Sequence, residues 1–177
     1  MCDVTDIANR MIKPATDHAL NSQQRIRVIG IGSHHGADLS GWLACERLQT
    51  ITMINQFDWQ LCRSPAQLPQ LVTNCHAVVI VDAVLNNQPA GQVISLSWPV
   101  TFDRYPSICS SHGIGVFEAL QLASTLDKLP SHTYVLGITI SNRQQDATVV
   151  VTEALPQLQQ ELNRIADHIA SIGCHNL

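Results

Sequence analysis

Blocks of apolar residues recur along this chain, and their period changes from block to block. Arg25–Ile31 is a β-rich run that ends in glycines, which predicts a first strand. Gly32–Gly41 is a turn region, after which Trp42, Leu43, Cys45, Leu48 and Ile51 follow at near-helical spacing. A second strand is expected near Phe57–Cys62, then a helix opening at Pro65 with Leu68, Leu71 and Val72 on its apolar face. Ala77–Val81 runs unbroken into Asp82 and Ala83, which predicts a strand buried on both faces of a parallel sheet. Gln92–Ser97 alternates and reads as an edge strand. Ser110, Ser111 and His112 precede Ile114, Val116, Phe117, Leu120, Ala123 and Leu126, a pattern that predicts a Ser-started helix ending before Pro130. Tyr134–Ile140 is another buried strand. Leu155, Leu158, Leu162, Ile165, Ile169 and Ile172 recur at threes and fours in a last helix, with Pro156 limiting where its first turn can start.

Strands alternating with helices in this way predict an α/β fold, a three-layer sandwich with a twisted, mostly parallel sheet and helices on both faces. Residues 1–24 read as a polar N-terminal extension, and residues 25–177 as one domain without internal repeats.

Composition narrows the function classes. Charged residues are only 14% of the 177, against about 25% in an average domain, and 45% are apolar, which argues against disorder. The net charge is −4 with no run of Lys or Arg, so nucleic acid and anionic membranes are poor candidate partners. The sequence has no continuous apolar stretch of spanning length and no signal-peptide pattern at its start, so a cytoplasmic protein is expected. None of the six cysteines sits in a CxxC pair, and free thiols acting as small apolar residues are expected.

Ligands of open α/β sheets bind beyond the carboxyl ends of the strands. Three polar groups fall at such ends: the loop Gly30–Asp38, Asp82 closing its apolar run, and His112 at the expected helix start. An acid directly after a buried run is poorly solvated unless it is paired, hydrogen-bonded or metal-bound. A His at a helix N-terminus is held neutral by the helix dipole, and neutral imidazole is a metal ligand or a general base. Asp38 is of a common N-cap type, and His34 and His35 are of a type often found on surface loops. Together these residues form a carboxylate and imidazole set suited to a borderline divalent ion such as zinc or nickel. The spacing Gly30-x-Gly32-xxx-Gly36 could instead cradle a phosphate, with Asp58 near where a ribose-binding acid would fall. It is not GxGxxG, and no P-loop or G-x-S-x-G elbow is present.

The motif order in Gly30–Trp42, Val78–Val84, Pro89–Val93, Ser110–Leu120 and Leu129–Ile140 resembles that of the hydrogenase maturation proteases, over most of residues 25–172. The resemblance implies a phosphorylase/hydrolase-like sandwich and an endopeptidase of aspartic-type classification. Such an enzyme checks for nickel and trims the C-terminus of a nickel-iron hydrogenase large-subunit precursor. It implies metal ligands at Asp82 and His112, with Asp38 as both the third ligand and the candidate catalytic residue, or His34 or His35 in its place. It implies nickel carried by the substrate, or another divalent metal such as zinc, and a monomer. Ser33 stands where the family has Asn, Leu39 where it has a second acid, and Phe57–Arg63 where it has Asp-Gly-Gly-Thr. The alternatives are a non-catalytic relative that binds the precursor and, on another footing, a nucleotide-binding enzyme.

Overall fold

Aliphatic runs with β-branched residues become strands, and runs of helical period become the layers over them. In chain order the elements are β1 (Ile26–Ile31), α1 (Ser40–Ile51), β2 (Phe57–Cys62), α2 (Leu68–Leu71), β3 (Ala77–Leu85), β4 (Val93–Ser97), β5 (Cys109–Ser110), α3 (Val116–Thr125), β6 (His132–Ile140) and α4 (Ala147–Gly173). Single 3-10 turns at Gly36–Leu39 and Pro65–Gln67 lead into α1 and α2. The computed structural model describes residues 25–52, 56–100, 109–110 and 115–173.

The strands lie in the order β2-β1-β3-β6-β4, with β5 paired to β3 off this path. β2, β1, β3 and β6 run parallel. β4 closes one edge antiparallel to β6, and β5 is antiparallel to β3. Side chains alternate between faces along a strand. Val28, Val79, Val81 and Leu136 pack with Cys45 and Leu48 of α1 and Val150, Leu158 and Leu162 of α4. Ile29, Ile31, Val78, Ile80 and Val135 pack with Leu68 of α2 and with Val116, Ala119 and Leu120 of α3. Helices thus cover both faces, as the block order predicts.

Three boundaries differ from the sequence reading. The helix expected from Ser110 begins at Val116 behind Gly115, and Ser110 pairs with Val84 in the sheet instead. The helix opening at Pro65 is a 3-10 turn and a single α turn, with the Ser64 hydroxyl accepting from the Ala66 N–H. The last helix starts at Ala147, nine residues before Pro156, which lies inside it. An interior proline costs about 3 kcal/mol. Val150, Val151, Leu158, Leu162 and Ile165 are fully buried around it, at about 1.5–3 kcal/mol each. Burial wins, and Pro156 itself faces solvent. The Asp146 carboxylate accepts the Thr148 N–H at 2.7 Å and caps the early start.

Candidate active site

β3 changes partners along one side. β1 accompanies it as far as Val81, and β5 takes over at Val84. Asp82 lies in the interval, on the other side paired with Gly137 of β6. By alternation from Val78 and Ile80 its side chain falls on the α3 face, and it is 2% exposed. One carboxylate oxygen, Oδ1, accepts the Ala83 N–H at 2.9 Å. Burial pushes its pKa up to about 8; that hydrogen bond opposes the rise, and the negative charge of Asp38 adds to it.

Asp38 reaches this neighbourhood through a tightly folded first loop. Gly36 adopts φ 52°, and a Cβ there would strike the Arg143 carbonyl. The Ala37 N–H donates to that same carbonyl at 2.9 Å, and the Ser33 N–H to the Asp38 carbonyl at 3.1 Å. Gly41 lets the start of α1 lie against the carbonyls of Ile31 and Val81, where any side chain would collide. Asp38 does not cap α1: Leu39 occupies the N-cap, and no side chain caps there. Its Oδ1 is buried with no hydrogen-bond partner among the described residues. Two carboxylates thus face each other's charge, one in the loop after β1 and one within β3, and one carries an unmet acceptor. Such an arrangement accepts a proton or a cation.

His34 and His35 are exposed, and the His34 ring stands edge-on to Trp42 with centroids 5.0 Å apart. Trp42 in turn donates its indole N–H to the Cys62 carbonyl at 2.9 Å. His112 lies outside the described residues. Among the described residues, no three His, Cys, Asp or Glu side chains are grouped to hold a metal ion.

The phosphate-loop reading fails on geometry. A Cβ on Gly30 would meet the Gly41 carbonyl and Cys45, and one on Gly32 the Asp38 carbonyl and Trp42, so these glycines serve close packing. Asp58 is bound to Arg27 at 2.7 Å, at the opposite end of the parallel strands from Asp82. The thiols of Cys45, Cys62 and Cys75 are free, and burial pushes all three up. For Cys62 the result is about 11, with the Ser64 carbonyl accepting its S–H and the Asp82 charge raising it further. Sequence reasoning missed Cys62 as a neighbour of the site. It also missed a small cavity of about 20 Å³ that Asp82 shares with Val84 of β3, Ile94 and Leu96 of β4, Val116 and Phe117 of α3, and Val135 and Gly137 of β6. Gly137 was legible in principle, as a glycine inside an otherwise aliphatic strand.

The fold is shared with solved structures. Hydrogenase maturating endopeptidase HybD from Escherichia coli superposes with a TM-score of 0.62 at 16% identity, over 79% of this chain and 93% of that one. The [NiFe] hydrogenase maturation protease HybD from Thermococcus kodakarensis gives 0.61 at 18%, over 80% and 99%. An Escherichia coli endopeptidase solved in solution gives 0.63 at 18%, over 79% and 93%. No curated protein matches the sequence at a significant level. The family model for hydrogenase maturation protease, HycI, matches residues 63–171, a span that contains Asp82 and His112 and starts beyond Asp38. With most of the domain matched by that model and the sheet arranged as in these endopeptidases, the chain belongs to the hydrogenase maturation protease family.

Proposed function

We propose that the protein is a metal-dependent endopeptidase that removes the C-terminal extension of a nickel-iron hydrogenase large-subunit precursor, with the nickel presented by that precursor. Asp82, His112 and Asp38 are the residues assigned to grip the ion. The observation that carries the reading is the pair of carboxylates: Asp38 with a buried, unpartnered oxygen, and Asp82 driven toward its protonated form by burial and by Asp38. A divalent cation relieves both penalties at once. His112 is assigned from the resemblance alone. A divalent ion bound there supplies polarisation of the scissile carbonyl or an activated water. The two aspartates orient it, and the Ala83 N–H holds one oxygen of Asp82 in place.

A second reading rests on Leu39. It occupies the N-cap of α1, half-buried, where the resemblance implies another acid. A site short of one carboxylate suits a protein that docks the precursor without cutting it. Incubation with a nickel-loaded precursor separates the two. The protease yields a shortened large subunit, and Asp82→Ala and His112→Ala each reduce the rate by at least a hundredfold. Wild-type rates in both variants refute the assignment. A stable complex without any shortened product selects the docking reading.

A further inference from the structure

Three histidines meet at the end of the sheet remote from Asp82. His132 opens β6, His76 immediately precedes β3, and Ala77 is paired with His132 in register. His168 comes from α4, between Ile165 and Ile169, whose burial holds that stretch of the helix against the core. The His76 and His132 rings lie 5.4 Å apart between centroids, and the His132 and His168 rings 6.4 Å apart. Asp82 is roughly 17 Å along β3 from Ala77, at about 3.3 Å per residue.

None of the three imidazoles is engaged in a hydrogen bond among the described residues. His76 and His132 are half-buried, and His168 is exposed. Burial, and then the charges of His76 and His168, hold His132 below the ordinary imidazole range, so at neutral pH it offers a nitrogen lone pair. Arg164, one helical turn before His168, has its charge met by Glu161 at 2.8 Å and so adds little repulsion toward a cation. Cys75, the neighbour of His76 in sequence, turns its thiol to the Val72 carbonyl and packs in the α2 and α3 layer, which leaves a donor set of nitrogen alone. Two imidazoles bound to one zinc at about 2.0–2.1 Å put their ring centroids roughly 5 Å apart in tetrahedral geometry. The His76–His132 spacing fits that geometry. The His132–His168 spacing is roughly 1 Å too long for it, and the three rings do not enclose a common point as they stand. His168 is exposed, so a change of rotamer brings it in.

We propose that His76, His132 and His168 bind a divalent transition-metal ion of the zinc class, and that this ion ties the last turns of α4 to the leading ends of β3 and β6. The site is separate from the one assigned to Asp38, Asp82 and His112, and it does not depend on the protease reading. Imidazole ligands suit zinc, nickel or copper, whereas magnesium and calcium take oxygen ligands.

The test uses the full-length protein carrying Asp82→Asn and His112→Ala, which removes two of the groups assigned to the first site. Calorimetric titration with zinc chloride should show a bound ion, and titration with magnesium chloride should show none. His132→Ala and His168→Ala, each added to that background, should weaken zinc binding by at least about tenfold, the scale set by losing support around a metal. Zinc should also raise the thermal midpoint of the background protein, since it binds the folded chain in preference to the unfolded one. His168→Ala should remove most of that rise and leave the metal-free midpoint little changed, because His168 is exposed. This variant keeps the test decisive even if His132→Ala fails to fold. Zinc affinity unchanged by His168→Ala, an equal response to magnesium, or no zinc binding at all overturns the proposal, and none of these results bears on cleavage of the precursor.

Discussion

At the scale of single residues, the site is a contest between burial and charge. Asp82 is almost fully enclosed and, among the described residues, has a single N–H for support, so its ionised form is poorly compensated until a cation arrives. Asp38 is close enough to add its own charge to that problem, and it leaves an oxygen unmet. Leu39 is the adjacent position at which another carboxylate would share the load. Leu39→Asp should therefore tighten nickel binding by roughly tenfold or more, a change on the scale set by losing or gaining one supporting group. Isothermal titration of the purified protein with nickel measures it. Unchanged affinity in this variant would show that position 39 does not face the ion.

At the scale of elements, the strands were legible because runs such as Ala77–Val81 and Tyr134–Ile140 have no competing pattern. A polar residue after an apolar run is how Asp82 could be picked out, although β3 does not end there and continues to Leu85. Helix starts were harder. Ser110 has the side chain of an N-cap, but pairing with Val84 in the sheet takes its place, and α3 waits for Val116. Asp38 has the side chain of a cap as well and is drawn to the carboxylate site instead. Nothing local in the sequence records these tertiary preferences. Pro156 is the converse case, a strong local signal overridden by the buried stripe of α4. Its missing N–H leaves the Thr152 carbonyl without a helical partner on the exposed side. Pro156→Ala should stabilise the protein by about 1–3 kcal/mol, since it restores that bond and relieves the ring's clash. Thermal or urea unfolding reads the gain, and a loss of stability would mean that the proline is required by the path of the helix.

At the scale of the whole molecule, the same sheet that builds the core gathers the site. β1 stops alongside Val81 while β3 runs on, and the first loop and the interval in β3 meet there. Carrying a raised acid at that junction has a global consequence. Between about pH 4 and about pH 8 the folded state holds a proton on Asp82 that the unfolded chain has released, so this residue makes stability fall as pH rises through that window. Asp82→Asn keeps an acceptor for the Ala83 N–H and has no charge to bury. Its stability should fall less steeply over the window and should exceed that of the wild type at pH 8, by on the order of a few kcal/mol. Chemical denaturation at a series of pH values checks this, and parallel profiles for the two proteins would contradict it. No helix among the described residues is long and apolar enough to cross a membrane, and α4 packs its apolar stripe into the core. Its leading turn hangs from the same segment whose Arg143 carbonyl fastens the first loop. That fastening uses main-chain atoms alone, and its identity is invisible in the alphabet of side chains. Position 143 can therefore drift through evolution almost without restraint, while its distance along the chain from Ile140 cannot. One residue inserted between them would unseat Asp38 more surely than any exchange at 143 itself.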